Sequence, residues 1–340
     1  MNNYQHIKYC LAFTLFIILI FFIVGCKNNN YRFHEGFAEG TTFHIYYQTK
    51  ENYDNAIDSL LNHFENILST YRDSSLISKV NMPTDSVYIN NPLFTKMLHI
   101  ARKVYDETDG AFDITIAPIV NAYGFGFTDT LQTDSALIDS LLQYVGMSKI
   151  HISNNWLIKD MRHIQIDGNA IAKGQSVDYI CNFLDAKGIE NYMVEIGGEV
   201  RVKGVNTKGQ PWQIGIDRPI DGSNEVERDL QGVVALKDKS IATSGNYRRF
   251  YYKNGLRYSH TIDPKTGYPV NHGLLSASVM TKTCMLADAY ATSFMVMGLN
   301  KVKIFLKNHP QIDAYLIYRD ENDSILTFST RGFVVETFEN

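Results

Sequence analysis

The sequence has little net charge of either sign. Its 340 residues carry 32 lysines and arginines against 36 aspartates and glutamates, which gives a formal net charge of -4. This balance creates no basic field that could hold a polyphosphate backbone, so we do not expect nucleic acid as a partner. A phosphate group in any ligand would therefore need local neutralisation by a metal ion or a few placed cations.

Cysteine is also scarce, with only four residues in the chain. No Cys-x-x-Cys pair and no Cys/His grouping indicates a zinc site. Cys181 and Cys284 could pair in an oxidising compartment, because their separation in sequence says nothing about their distance in space. We favour two buried thiols, since unpaired cysteine behaves as a small hydrophobic side chain.

Common nucleotide-binding signatures and internal repeats are missing as well. The chain contains neither a GxxxxGK[ST] loop nor a GxGxxG loop, which disfavours the P-loop and dinucleotide-binding folds. No repeat of fixed period is present, and no Pro/Ser-rich linker divides the chain. We therefore expect residues 31–340 to form one domain.

The N-terminus predicts export from the cytoplasm. Lys8 precedes a predominantly apolar run over residues 11–24, which ends in Gly25 and Cys26. We interpret residues 1–25 as a lipoprotein signal peptide, Cys26 as the lipidated residue, and residues 26–30 as that cysteine with a polar tether. The run is short for a transmembrane helix, although an uncleaved anchor is the alternative. Both interpretations place the domain at the membrane, facing the periplasm or the exterior.

Hydrophobic periodicity predicts interleaved helices and strands. Apolar residues at helical spacing predict helices over 53–68, 92–108, 134–144 and 177–187. Short β-rich runs predict strands over 41–49, 164–166, 192–196, 200–203, 213–216, 232–236, 276–280, 314–318 and 332–337. Because these elements do not alternate regularly, the predicted fold class is α+β, with mixed, largely antiparallel sheets and packed helices.

Two glycine-containing segments in the first half of the chain are candidates for a ligand site. The first spans 108–126, where Gly110 and Ala111 would let the backbone approach a flat ligand. The second spans 166–174 and leads into a helix, whose N-terminus offers N–H groups and a positive dipole to a phosphate, with Lys173 nearby. The alternatives are a helix cap with a turn for the first segment and an ordinary strand-to-helix turn for the second.

Two further candidate segments follow in the second half. The third spans 243–267 and contains His260, which could bind a ligand, exchange protons with it, or serve only the structure. In the fourth, Asp288 and Thr292 are four residues apart, so on a helix their oxygens share one face. A carboxylate and a hydroxyl suit a hard cation such as Mg²⁺. The alternative is an aspartate cap and a threonine bonded to the preceding turn.

Together and in this order, the segments resemble the FAD:protein FMN transferase (ApbE) family over about residues 40–298. Two departures are visible, because Glu39 stands where the family often has methionine and Tyr123 where it usually has tryptophan. The resemblance is carried by STYR at 69–72 with Asn81, GAFDITIAPIVNAYGFG at 110–126, DGNAIAKGQSVD at 167–178, VEIGGEVRVKG at 194–204, IATSGNY at 241–247, SHTIDPKTGYP at 259–269 and ADAYATSFMVMG at 287–298.

The resemblance implies an enzyme that uses Mg²⁺ and FAD to attach FMN to a Ser or Thr of an acceptor protein, with release of AMP. Membrane redox complexes with domains outside the cytoplasm are the expected acceptors. The residues implied to surround FAD are Tyr71, Ala111, Phe112, Asp113, Asp167, Lys173, His260, Thr261 and Ile262. Those implied to hold Mg²⁺ are the Ala170 carbonyl, Asp288 and Thr292.

The acceptor hydroxyl needs a base, because an alcohol is a poor nucleophile. Asp288 or His260 could serve, and the sequence does not choose between them. Two alternatives share the same residues. One is an FAD pyrophosphatase, in which water replaces the acceptor hydroxyl and FMN and AMP are released. The other is a lipoprotein that binds flavin without turnover.

Overall fold

The computed structural model describes residues 30–126, 134–220, 229–246, 250–253 and 256–338. The predicted signal peptide, Cys26 and most of the tether lie outside these residues. Within the described part of the chain, no helix has both the length and the apolar character needed to cross a membrane.

The described residues form seven α-helices and sixteen strands. The helices are α1 (Asp54–Leu68), α2 (Leu76–Val80), α3 (Pro92–Glu107), α4 (Ala117–Ala122), α5 (Ser135–Leu142), α6 (Ala172–Ala186) and α7 (Cys284–Asn308). The strands are β1 (Tyr31–Ala38), β2 (Thr41–Gln48), β3 (Ser86–Tyr88), β4 (Ile150–Ser153), β5 (Trp156–Lys159), β6 (Tyr192–Ile196), β7 (Glu199–Lys203), β8 (Trp212–Asp217), β9 (Leu230–Leu236), β10 (Ser240–Gly245), β11 (Phe250–Lys253), β12 (Leu256–Ser259), β13 (Leu274–Thr281), β14 (Asp313–Arg319), β15 (Ile325–Ser329) and β16 (Glu336–Thr337).

An eight-stranded antiparallel sheet organises the domain. Its strand order is β1-β2-β6-β7-β10-β13-β14-β15, and each neighbouring pair is antiparallel. Two three-stranded sheets, β16-β9-β8 and β3-β5-β4, and the hairpin β11-β12 complete the described strands, again with antiparallel pairing. The predicted α+β class with largely antiparallel pairing is confirmed.

Both faces of the large sheet are covered near its centre. Alternate residues of β2, including Phe43 and Ile45, pack in one cluster with Ile57 of α1 and Val177 of α6, as expected for a strand whose side chains alternate between faces. On the opposite face, side chains of β8 and β9 such as Trp212 pack with residues of β7, β10, β13 and β14. The two layers therefore cover opposite faces of the sheet.

Helices α6 and α7 cap each other. The side chain of Asp178 on α6 accepts hydrogen bonds from the N–H groups of Cys284 (3.1 Å) and Met285 (3.0 Å), the first two residues of α7. In return, Asp288 on α7 accepts a 3.0 Å bond from the N–H of Gly174 in the first turn of α6. The N-cap residues of both helices provide no side-chain cap of their own, so these aspartates satisfy N–H groups that would otherwise lack partners.

Close approach of the two helices requires glycine at position 174. A Cβ atom there would lie 2.4 Å from the carbonyl oxygen of Cys284 and 2.8 Å from the Cβ of Asp288. Neither atom can move without shifting α7. The glycine in the second candidate segment therefore serves helix packing, which brings Asp288 to α6.

One predicted helix start and one predicted strand are wrong, and both affect the site. The helix predicted at 177–187 begins at Ala172, so Lys173 and Gly174 lie in its first turn. The strand predicted at 164–166 does not form. The side chain of Asn81 instead accepts from the Ile166 N–H at 2.7 Å and donates to the Ile166 carbonyl at 2.9 Å, which satisfies both groups without a neighbouring strand.

Other departures lie away from these segments. The strands β3, β4, β5, β11, β12 and β15 were not predicted from the sequence. Of the strand predicted at 332–337, only Glu336–Thr337 forms. The edge strand β1 was not predicted, because most of its side chains are partly or fully exposed and it lacks a clear apolar alternation. Cys181 and Cys284 are both buried and unbridged, as favoured from the sequence.

We expect Asp178→Ala to destabilise the fold by about 3–5 kcal/mol, the usual effect of breaking a buried ion pair. The substitution removes the cap of α7 and leaves the guanidinium of Arg201, which lies 2.8 Å from Asp178, without this buried partner. Urea denaturation measures the effect. Asp185→Ala is the matched control, because this carboxylate is on the same helix and also near Arg201 (3.7 Å) but is one-third exposed, and we expect about 1 kcal/mol or less. Equal losses in the two variants would contradict the capping role.

Candidate active site

The predicted metal-binding residues lie where α6 and α7 meet. Asp288 is 3% exposed and contacts the first turn of α6 through Gly174. Ala170 lies just before that turn. Thr292 is one helical turn beyond Asp288, and its Oγ1 lies 3.2 Å from the Oγ of Ser244 on β10. The fold therefore brings the fourth candidate segment to the second and third.

This set of donors suits a hard cation. Burial raises the pKa of Asp288, although the nearby Lys173 ammonium and the Gly174 N–H oppose the shift, so a buried carboxylate here would gain from a cation beside it. Within the described ranges, no three acidic, histidine or cysteine side chains form a metal cage. A metal at Asp288 and Thr292 would need main-chain and ligand oxygens as well, which is the coordination typical of Mg²⁺.

Lys173 supplies the cation at the start of α6. Its Nζ donates a 2.7 Å hydrogen bond to Glu199, the first residue of β7, which is 3% exposed. Burial alone would lower the pKa of Lys173, but Glu199 and Asp288 outweigh it and raise the pKa above its ordinary value. The lysine is therefore charged at neutral pH. Glu199 was missed as a site residue, although it follows the paired glycines in VEIGGEVRVKG.

Glu39 places another carboxyl group beside this lysine. It occupies the turn between β1 and β2 with φ 54°, followed by Gly40 with φ 75°, as in tight hairpin turns. Its N–H donates to Glu65 at 2.6 Å, while its buried Oε1 has no hydrogen-bond partner in the structure. Burial raises the pKa of Glu39 to about 8, against the lowering effects of Ser176 and Lys173. Where the family often has methionine, this chain has a partly buried acid.

The loop that carries Tyr71 is anchored while its ring is exposed. The Tyr71 N–H donates to the Oγ of Ser69 at 3.3 Å, and the neighbouring Arg72 pairs with Glu65. Because Glu65 also binds the turn at Glu39, one side chain links the two loops. Tyr71 is 63% exposed, so its ring is available to stack on a ligand.

In the first candidate segment, two predicted side chains build the loop. Phe112 is 2% exposed within the core. The carboxylate of Asp113 accepts from the Thr115 N–H (2.8 Å) and hydroxyl (2.6 Å) and from the Met147 N–H (3.1 Å). Burial raises the pKa of Asp113, and these bonds oppose the shift. A ligand would therefore meet this segment through its main chain and the half-buried Ala111.

In the third segment, His260 is the more accessible member of the predicted trio. Ile262 is buried and pairs with Pro269, and the carbonyl of Thr261 accepts from the Val270 N–H at 3.0 Å. The His260 ring is half-buried and packs edge-on against Phe125 at 6.3 Å between centroids. The histidine thus borders the first candidate segment.

Specific contacts join all four segments. The Asp167 N–H donates to Ile114 at 2.7 Å and links the second segment to the first. An ion pair of 2.5 Å between Lys265 and Asp109 links the third to the first. The contacts described above, Gly174 with Asp288 and Ser244 with Thr292, bring in the fourth. Residues predicted from scattered motifs therefore form one continuous region.

The chain is similar to known proteins over most of its length. The profile of the ApbE family matches residues 40–316. An FAD:protein FMN transferase of Vibrio cholerae serotype O1 is 38% identical over 290 residues, covering 81% of this chain and 84% of the relative. One from Haemophilus influenzae is 36% identical over 317 residues, covering 88% and 89%. The solved structure of the flavin transferase ApbE from Vibrio cholerae matches with a TM-score of 0.80 at 32% identity, covering 89% of this chain and 99% of that chain.

We expect Glu39→Gln to stabilise the protein relative to the wild type more at pH 8 than at pH 5. The pKa of this carboxyl rises from 4.5 to about 8 in the folded state. Stability from its bound proton is therefore full below about pH 4.5 and is lost as the pH rises towards 8, a loss that glutamine avoids.

Urea denaturation at the two pH values measures the difference in the free energy of unfolding. Glu35→Gln is the control, because Glu35 lies on the same hairpin with its side chain exposed. A Glu39→Gln difference that does not grow with pH would contradict the raised pKa of this carboxyl.

Proposed function

The chain belongs to the ApbE family of FAD:protein FMN transferases, and we propose that it uses Mg²⁺ to transfer FMN from FAD to a Ser or Thr hydroxyl, releasing AMP. The observation that carries this proposal is the convergence of a helix N-terminus, Lys173, Asp288 and Thr292 at one place. An FAD pyrophosphate carries two negative charges, and such a place provides the positive charge to hold it.

Different groups of the chain would make different contacts with this pyrophosphate. The first turn of α6 offers N–H groups, and Lys173 adds an ammonium that Glu199 fixes in position. The Ala170 carbonyl, Asp288 and Thr292 would hold Mg²⁺. When bound, the ion would neutralise the phosphates and draw charge from the AMP leaving group.

The flavin and adenosine parts would lie against the loops that surround this centre. Tyr71 offers an exposed ring, and the His260 ring lies next to Phe125. The residues proposed to complete the FAD-binding wall are Ala111, Phe112, Asp113, Asp167, Thr261 and Ile262. Those with buried or occupied side chains would act through their main-chain atoms.

Transfer requires the acceptor oxygen to attack the FMN-side phosphorus while the bond from that phosphorus to the oxygen of AMP breaks. The proton of the acceptor hydroxyl must pass to a base. Asp288 lies at the proposed metal position, and His260 lies on the neighbouring loop with part of its ring accessible. Either would accept the proton, and the product is a phosphoester-linked flavoprotein with AMP.

We expect Asp288→Asn to reduce FMN transfer by about 100-fold or more, because it removes the charge while its amide oxygen can still accept from Gly174. The assay incubates the purified protein with FAD, Mg²⁺ and a peptide containing Ser or Thr, and mass spectrometry detects the gain of one FMN. Asp323→Asn, at an exposed position, is the control and should retain full transfer.

The same assay separates the alternatives. Release of FMN and AMP without an adduct on any acceptor would favour the pyrophosphatase. Binding of FAD that stays intact in the presence of Mg²⁺ would favour a flavin carrier and contradict the proposed reaction. Loss of activity in both aspartate variants alike would contradict the specific role of Asp288.

We also propose that the protein is a lipoprotein anchored through Cys26, with its domain in the periplasm or at the cell exterior. The apolar run before Cys26 and the short polar stretch after it support this location. The acceptors would then be membrane redox proteins with a Ser or Thr exposed on the same side.

We expect Cys26→Ser to abolish lipid attachment, because the thiol is the acylation site in this proposal. Labelling of cells with a palmitate analogue, followed by purification of the protein, measures attachment. Cys10→Ser is the matched control, since Cys10 lies within the proposed signal peptide, just before the apolar run. Equal labelling of the two variants would overturn the assignment of Cys26.

A further inference from the structure

The ammonium group of Lys159 is buried among main-chain carbonyl oxygens. Lys159 ends β5 and is 3% exposed. Its Nζ lies 3.0 Å from the carbonyl oxygen of Val80, 2.9 Å from that of Met82, and 3.1 Å from those of Arg162 and Ile164. An ammonium has three N–H groups, one fewer than the oxygens around it. The four oxygens surround the nitrogen in the way that carbonyl oxygens surround a bound monovalent metal ion.

The four carbonyls belong to two segments next to the candidate active site, the end of α2 with the loop that follows it and the loop that leads to Asp167. Val80 and Met82 flank Asn81, whose side chain makes both main-chain hydrogen bonds of Ile166. Arg162 and Ile164 precede this point on the other loop. The Met82 carbonyl also accepts from the Thr84 N–H at 2.8 Å. Without a cation between them, the four carbonyl dipoles would still point at one another, which is unfavourable in a buried place.

The second loop leads directly to a proposed ligand contact. Asp167 follows Ile166, and its N–H donates to Ile114 in the first candidate segment. A change in the spacing of the two loops would therefore move Asp167 and the first segment together. Lys173 and Asp288 are held separately, by Glu199 and Gly174.

We propose that Lys159 is a positioning residue, a fixed internal cation that joins the Asn81 loop to the 162–167 loop and so sets the wall that binds the flavin nucleotide. The inference rests on the proposed function for the identity of the ligand. Lys159 itself is buried and would not touch the substrate. Its pKa is lowered by burial to about 8, with Asp85 opposing the shift.

The test removes the Lys159 side chain by mutation and then adds a small cation that can take the place of its ammonium group. Lys159→Ala removes three methylenes and the ammonium, which n-propylammonium restores in size and charge. We expect the variant in sodium buffer to bind FAD at least about 10-fold more weakly, measured by flavin fluorescence. Addition of n-propylammonium, or of K⁺, should recover most of the affinity. The KM for FAD should rise while kcat changes little, because Lys173 and Asp288 keep their own partners.

Two variants serve as controls. Lys159→Met fills the space without a charge, so we expect weakened binding that no cation restores. Lys149→Ala removes a partly exposed lysine that donates to a single carbonyl, that of Gln143, and should bind FAD as the wild type does. Choline, which is too bulky for the carbonyl cage, should rescue none of the variants.

Each possible result either supports or overturns the positioning role of Lys159. Wild-type affinity in folded Lys159→Ala, or weak affinity that neither cation improves, would overturn the positioning role. If Lys159→Ala is unfolded in sodium buffer, thermal unfolding decides, since recovery of the folded protein with n-propylammonium or K⁺ but not with choline supports the cage. If the wild type fails to bind FAD, the proposed function fails, and the same thermal measurement still tests the cage.

Discussion

The site depends on the reciprocal capping of α6 and α7. Asp178 closes the N-terminus of α7 and Asp288 closes that of α6, so the first turns of both helices meet. One contact therefore has two consequences. It supplies partners for buried N–H groups, and it holds the Asp288 carboxylate at the positive end of α6. Gly174 permits this approach, because any side chain there would collide with α7.

Three acidic side chains lie around Lys173 near this contact. Glu39, Glu199 and Asp288 all affect the charge state of Lys173. The ammonium offsets part of their desolvation, and burial raises the pKa of each acid. A further positive charge would relieve the remaining repulsion. A divalent cation beside Asp288 and Thr292, as proposed, would favour the ionised form of the Asp288 carboxyl, and the phosphates of a substrate would complete its coordination.

In the loops next to this centre, side chains form the hydrogen bonds to main-chain groups that a neighbouring strand would form in a sheet. Asn81 takes both main-chain groups of Ile166, Asp113 binds its own loop and Met147, and Lys159 gathers four carbonyls. Each satisfies polar main-chain groups that a neighbouring strand would otherwise satisfy. Irregular backbone can therefore surround a ligand without leaving its buried groups unpaired.

The sequence by itself determined the fold class, most helices, the shared face of Asp288 and Thr292, and the family, because periodicity and motifs are local properties of the chain. It placed no strand at β1 and a false one at 164–166, and it missed Glu199 as a site residue. Only the tertiary structure decided that Asp288 caps α6, that Lys173 pairs with Glu199, and that Asn81 replaces a strand at Ile166. These contacts join residues 26 to 114 positions apart, and the free energy of burying a charge or an N–H group depends on that distant partner.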